Sequence, residues 1–295
     1  MKYLITGGTG LVGRRLIAGL LADGHEVHNL GRGAGKPGAN GLFYHQWDGK
    51  SVPDSVPVVD VVVNLAGASI GKRWNAEYKK LLVSSRVEAT TACADYLKRN
   101  AKAGQVFISA SGFNFYGDFV ETPVTEASPA GDSFMSSICQ QWEAATAGTA
   151  ARTVCMRISV VLDKEDGPLA KMLTPYRFFI GGPVGSGKQG FPWIHLDDLV
   201  AGIRFIAENG NISGPVNMAS PQAIRQNEFA KALGKAMGRP SLFRLPKWVL
   251  QMVFGEMSVV LWGGAFVEPK VLKANGFKWK YPDIGSALKQ LISGN

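Results

Sequence analysis

The chain is poor in cysteine, in histidine and in acidic side chains. Its 3 cysteines, Cys93, Cys139 and Cys155, are an odd count without metal-site spacing, which excludes a disulfide framework and points to a reduced, cytoplasmic protein. Of the 4 histidines, His25, His28 and His45 are scattered, and His195, although close to Asp197 and Asp198, has no second His or Cys at ligand spacing. No metal is expected, and His195 reads as a satisfied, partly buried side chain. No apolar run reaches the roughly 20 residues of a membrane span. The most apolar late stretch, 245–267, is broken by Lys247, Glu256 and Gly263-Gly264. Met1 to Thr6 leads straight into glycines with no charged leader or cleavage site, so a signal peptide is not expected either.

Acidic residues number 23 against 32 basic ones, a net charge of +9. Such a surplus fits a nucleic-acid binder or a basic enzyme handling anionic ligands. No block of about five Lys/Arg is present, and aromatics do not alternate with basic residues, so the second reading is preferred. The expected partner is a small-molecule substrate. Neither nucleic acid nor membrane is expected, and a homodimer is admitted.

What the chain does contain is an alternation of strand and helix signals. Lys2–Thr6 reads as strand, 11–23 as a helix ending at Gly24, and 26–30 as strand. A third strand ends at Gln46-Trp47, Val59 to Leu65 is a continuous apolar strand, 77–99 a helix, and 105–110 a strand. Apolar runs without period-two alternation suit strands covered by helices on both faces, which predicts an α/β, Rossmann-type doubly wound parallel sheet. After Asp118 a Pro/Thr/Asp/Ser-rich loop is expected, then a helix over 136–148 and one strand over 153–162. A soft boundary near residue 160 divides an NADP-binding domain (1–160) from a smaller substrate-covering region (161–295), some of whose elements can return to the sheet.

The sharpest motif is Thr6-Gly7-Gly8-Thr9-Gly10-Leu11-Val12-Gly13, placed between a strand and a helix. Gly7 allows the tight turn, Gly10 the close approach of a pyrophosphate, and Gly13 close helix–strand packing; the helix start supplies N–H groups and positive dipole to the anion. Thr9, Leu11 and Val12 complete the cradle. The second strand ends at Asn29-Leu30-Gly31-Arg32, without the acidic residue that would hold a ribose 2′-hydroxyl. Arg32, helped by Lys36, can pair with a 2′-phosphate, which favours NADP over NAD. Leu65, Ala66 and Gly67 end the fourth strand, and Ser109 and Ser111 the fifth, where the crevice of such a sheet lies. Asp48 is a candidate acceptor for the adenine amine.

On these residues the chain resembles the extended short-chain dehydrogenase/reductase superfamily and, within it, the YfcH-like group named for nucleoside-diphosphate-sugar epimerases. The likeness adds Arg73-Trp74, Ser84-Ser85-Arg86, Tyr116-Gly117, Cys139 with Trp142-Glu143, Gly181-Gly182-Pro183, Trp193-Ile194-His195 and a block from Gly255 to Phe277. It implies NADP in the crevice and a C-terminal part covering a substrate site. It also implies a Ser, a proton-transferring Tyr and a Lys four residues later that lowers the phenol's pKa. Ser111 stands where the serine is expected, but the Tyr and Lys positions hold Met135 and Cys139. The one nearby tyrosine, Tyr116, belongs to a turn that the resemblance makes substrate-side or structural; it either replaces the proton donor or packs.

Gly182 to Lys188 imitates a P-loop, but Gln189 replaces the Mg²⁺-holding Ser/Thr and no helix follows, so an ATPase is excluded. The loop remains either an anion nest or a plain turn. Trp248, Phe254, Trp262 and Phe266 recur at roughly helical intervals and are expected to form an apolar helix face. The combined expectation is an NADP(H)-dependent reductase or epimerase acting on a small alcohol or carbonyl bearing phosphate or nucleotide; the alternative is a catalytically silent NADP(H) sensor.

Overall fold

Val61, Val62 and Val63 are all buried, as β-branched residues are when helices cover both faces of their strand. In the computed structural model, which describes residues 1–33, 38 and 40–294, they form the centre of the sheet. The chain runs β1 (Lys2–Thr6), α1 (Leu11–Ala22), β2 (Glu26–Gly31), β3 (Leu42–Gln46), β4 (Val61–Asn64), α2 (Ala76–Arg99) and β5 (Val106–Gly112). It continues through β6 (Phe119–Val124), α3 (Phe134–Ala144), β7 (Arg152–Ile158), β8 (Val160–Leu162), α4 (Gly167–Arg177), β9 (Trp193–His195), α5 (Leu196–Glu208) and β10 (Gly214–Met218). Then follow α6 (Gln226–Met237), α7 (Lys247–Phe254), α8 (Val259–Trp262), β11 (Gly264–Val267), α9 (Lys270–Ala274) and α10 (Ile284–Ser293).

Seven strands pair in parallel in the order β10-β7-β5-β4-β1-β2-β3, giving the doubly wound sheet the residue pattern predicts. Alternate residues of each strand serve opposite cores. Tyr3, Ile5, Val61 and Val63 pack with Leu16 and Leu20 of α1 and Leu199 and Ile203 of α5. Leu4, Val62 and Phe107 meet Ala89, Cys93 and Leu97 of α2. Each such aliphatic side chain contributes about 1.5–3 kcal/mol on burial. Strand order reverses between β1 and β4, so their carboxyl ends part and open a crevice.

Past residue 160 the chain returns to this layer: α5 packs against α1, and β10 is the edge strand beside β7. The expected strand over 153–162 is two strands. β7 stays in the main sheet, whereas after Ser159 the backbone leaves it and β8 pairs with β9. The expected loop after Asp118 contains β6, paired with β11 from far along the chain, a partner no local pattern can announce. Helix α4, which the sequence reading left unassigned, is capped by Asp166 and buries Leu169, Leu173 and Tyr176 against α6 and α10. Segments Met257 and 259–261 close over Trp74, Leu82, Met135 and Ile138, which lays the C-terminal part across the loop after β4.

Candidate functional site

Glycines build the crevice because nothing larger fits. Gly7 has φ +69°, and a Cβ there would lie 2.6 Å from the carbonyl oxygen of Leu65. A Cβ on Gly13 would strike the Gly7 carbonyl oxygen and Gly8 Cα, and one on Gly8 would strike Asn29 Oδ1. Gly8 is thus as constrained as its neighbours, although its role lies outside the three-glycine fingerprint. The Gly10 N–H donates to the Gly7 carbonyl oxygen at 3.0 Å, closing the turn. Helix α1 then opens with no side-chain cap and no acidic residue in its first turn, so its leading N–H groups have no helical acceptor. Thr9 and Gly10 are exposed and Leu11 and Val12 half-buried; together with Gly7 they form a cradle whose chemistry suits a pyrophosphate.

A buried polar cluster fixes the opposite wall. Thr6 Oγ1 donates to Asn64 Oδ1 at 2.6 Å and accepts the N–H groups of Leu65 and Ala66 at 3.1 Å each. Asn64 Nδ2 donates to Thr90 Oγ1 at 2.7 Å and to Ser109 Oγ at 3.3 Å. Thr6, Asn64, Thr90 and Ser109 therefore hold the ends of β1, β4 and β5 in one register. Of the four, the sequence reading selects only Ser109 as a site residue, although Thr6 opens the glycine motif and Asn64 closes the fourth strand. The signal it passed over was a polar residue ending each of two strands that are otherwise apolar. Gly67 is exposed on this wall, with Arg86 beneath it.

Arg32 is exposed at the end of β2, on the side of the crevice where an acid would stand in an NAD site. Lys36 lies outside the described residues. Asp48 is exposed, and its Oδ1 accepts the N–H groups of Lys50 and Ser51, which lowers its pKa. Lys171 of α4, another residue the sequence gave no reason to select, brings its ammonium to Gly71 beyond the Leu65–Gly67 wall. Lys72 and Arg73 are exposed on the same loop.

The other candidates meet in a different setting. Ser111 Oγ donates to Glu143 Oε1 at 2.8 Å, and Arg157 grips both oxygens of Glu143, Nε to Oε1 and Nη2 to Oε2, at 2.9 Å. Arg157 Nη1 also donates to the Tyr116 hydroxyl at 3.1 Å, and Tyr116 donates onward to Asn217 Oδ1 at 2.7 Å. The structure brings Ser111 and Tyr116 into one network, but a closed one. Both are buried, and burial pushes the Tyr116 phenol up despite the hydrogen bonds from Arg157 and to Asn217 that pull it down. Met135 and Cys139, at the expected Tyr and Lys positions on α3, are buried too, and burial raises the Cys139 thiol to about 11. Neither position supplies a cation.

The P-loop mimic is a plain turn. Val184 N–H donates to Gln226 Oε1, Gly185 N–H to the Leu245 oxygen, Gly187 N–H to the Val184 oxygen and Lys188 N–H to Ser186 Oγ. An anion nest needs those groups unpaired. His195 caps α5 by accepting the Asp197 N–H on Nδ1 and bonds Gln290 through Nε2; burial lowers its pKa. It borders a cavity of about 380 Å³ behind α1, lined by Arg14, Arg15, Asp166 and Asp197. Arg14 pairs with Asp166 and Arg15 with Asp197, so four of the charges that line it are taken up within the protein. No cluster of metal ligands exists among the described residues.

A parallel sheet with a glycine turn at its switch point is the geometry of a dinucleotide-binding fold, and the model of the NAD dependent epimerase/dehydratase family matches residues 3–219. The chain belongs to the NAD dependent epimerase/dehydratase family. Residues 245–291 match a second family, described as a domain of unknown function. The bovine epimerase family protein SDR39U1 is 38% identical over 99% of this chain and 100% of its own length. The crystal structure of human SDR39U1 with NADPH superposes with a TM-score of 0.91 at 35% identity, each chain fully covered. The nucleoside-diphosphate sugar epimerase of Corynebacterium glutamicum follows with a TM-score of 0.81 and 30% identity, covering this whole chain and 59% of its own. Extended short-chain dehydrogenase/reductase architecture, expected from the motifs, is thereby established.

Proposed function

We propose that the protein binds NADP(H) and acts as an oxidoreductase or epimerase on a small alcohol or carbonyl that carries phosphate or nucleotide. The observation that carries the reading is the cradle of Gly7, Gly8 and Gly13, where no Cβ fits, at the start of an uncapped helix with no acid in its first turn. The pyrophosphate is assigned to Gly7, Thr9, Gly10, Leu11, Val12 and Gly13, the 2′-phosphate to Arg32 and the adenine amine to Asp48. Leu65, Ala66, Gly67 and Ser109 border the rest of the cofactor. NADPH in the human SDR39U1 structure supports the choice of cofactor. When bound, the nicotinamide supplies or accepts a hydride. The substrate's anionic part falls to Lys171, Lys72 and Arg73, cations gathered beyond the Leu65–Gly67 wall.

Ser111 is assigned to the reacting oxygen. Its proton is committed to Glu143, which leaves its lone pairs to accept from a substrate hydroxyl. Tyr116 is a positioning residue, since its hydroxyl is already shared between Arg157 and Asn217.

A second reading, an NADP(H)-sensing protein without turnover, is favoured by one observation: the Ser111–Glu143–Arg157–Tyr116 network has its partners within the protein. Both readings require NADPH to alter its fluorescence on binding. Only the enzyme exchanges the nicotinamide hydride with some member of a panel of carbonyls and nucleotide sugars. Absence of NADPH binding removes both readings; binding without exchange across the panel leaves the sensor.

A further inference from the structure

Helix α7 was expected to bury an apolar face, but it buries only Leu250. Its Trp248 and Met252, one turn apart, face solvent, Met252 at 67% exposure. They continue a larger apolar face. Phe243 N–H donates to the Gly181 oxygen at 3.2 Å and Leu245 N–H to the Pro183 oxygen at 2.8 Å, so the segments after α4 and before α7 lie side by side. This stitching sets Phe178, Phe179 and Ile180 next to Leu242 and Phe243, with Phe178 71% and Leu242 79% exposed. Phe179 holds a φ of +61°, a costly conformation for a bulky residue that persists only where its surroundings fix it. The guanidinium of Arg239, 4.4 Å above its ring, is part of that fixing.

The segments that form this face carry charge of one sign. Segments 174–190 and 239–254 contain no Asp or Glu, but they contain Arg177, Lys188, Arg239, Arg244 and Lys247. Arg177 and Arg244 adjoin the exposed aromatics directly in sequence, and both are exposed. A two-fold contact with a second copy would set this basic face against itself, cation to cation, with no carboxylate from either segment to pair them. An apolar surface of aromatics and aliphatics rimmed by arginine and lysine complements a surface that is greasy within and anionic at its rim.

We propose that the face formed by Phe178–Ile180, Leu242–Leu245 and the outer side of α7 docks the protein on an anionic lipid bilayer. The docking is peripheral: no helix among the described residues is long and apolar enough to cross a membrane. Apolar side chains enter the headgroup boundary, and the arginines pair with lipid phosphates, for which a planar guanidinium is well shaped. This differs from the sequence expectation that no membrane is a partner. It is independent of the cofactor assignment, because no residue of the face belongs to the glycine cradle.

Flotation of the full-length protein with phosphatidylcholine vesicles, with and without phosphatidylserine, tests the proposal. Binding is expected only with phosphatidylserine, weakening at least ~10-fold in R177E/R244E and in F178S/L242S, and weakening with added salt. Unchanged thermal unfolding and NADPH fluorescence in both variants establish that they are folded. No flotation, or equal binding to both vesicle types, overturns the proposal. A concentration-dependent dimer by light scattering that F178S/L242S dissociates, without lipid binding, assigns the face to a second copy and also overturns it.

Discussion

The two halves of the crevice end differently. At β1 and α1 the chain leaves donors without acceptors: an uncapped helix start and glycines that hold side chains away from it. At β5 and β7, some strands along, Ser111, Glu143, Arg157, Tyr116 and Asn217 satisfy one another. Unpaired donors at a helix start suit an outside anion, whereas the self-paired half holds its own members to one another.

Removing Arg157 has the largest expected effect. Arg157→Met leaves the Glu143 carboxylate among buried neighbours without its cation, and a loss of about 3–5 kcal/mol is expected by urea unfolding. Little or no loss would mean that the β5–β7 half is not held together by this pair. Gly13→Ala attacks the other half: its Cβ collides with backbone, and NADPH affinity should fall ~100-fold or more by fluorescence titration, with the circular dichroism spectrum retained. Affinity within a few-fold of the parent would remove the cradle from the cofactor site.

Smaller effects sharpen the contrast. Arg32→Glu should reverse or reduce the preference for NADPH over NADH by ~10-fold or more, because it puts an acid where the 2′-phosphate is assigned. An unchanged ratio of the two dissociation constants counts against NADP selectivity at that position. Tyr116→Phe should cost about 1–2 kcal/mol of stability, since Asn217 Oδ1 loses its donor in the interior, yet leave NADPH affinity alone. A variant that binds NADPH much more weakly would show the halves to be coupled.

The least of the effects is a pH dependence. Burial depresses the pKa of His195, so the unfolded chain takes up this proton more readily than the folded one. The contribution of His195 to stability is therefore complete above the ordinary histidine range and declines as pH falls through it. His195→Asn, which can still cap α5, should flatten that part of the curve of stability against pH. An identical curve would assign the dependence elsewhere.

Much of this was readable in the chain. Thr6 to Gly13 between a strand and a helix is a local pattern, and local patterns are written in neighbouring residues: the glycine turn, the sign of the residue at the end of β2 and the absence of Tyr and Lys on α3 needed no coordinates. The valines of β4 likewise announced a strand covered on both faces. The closed network was not readable, because its members are far apart in the chain: the parallel pairing of β5, β7 and β10 aligns Ser111, Arg157 and Asn217, and the packing of α3 and of the turn after β5 brings in Glu143 and Tyr116. The pairing of β6 with β11 and the course of the chain back into the sheet at β10 are of the same kind.

The sequence by itself determined the nucleotide fold and the anionic character of its ligand, since glycine sterics, helix starts and charge are properties of short stretches. Tertiary structure alone decided which polar groups remain unpaired and which apolar ones remain exposed. Ser111 looked unattached until its proton was seen to go to Glu143, and the aromatics of α7 looked buried until Trp248 was seen to face solvent. Pairing and burial depend on neighbours distant along the chain, and those neighbours are chosen only when the layers pack.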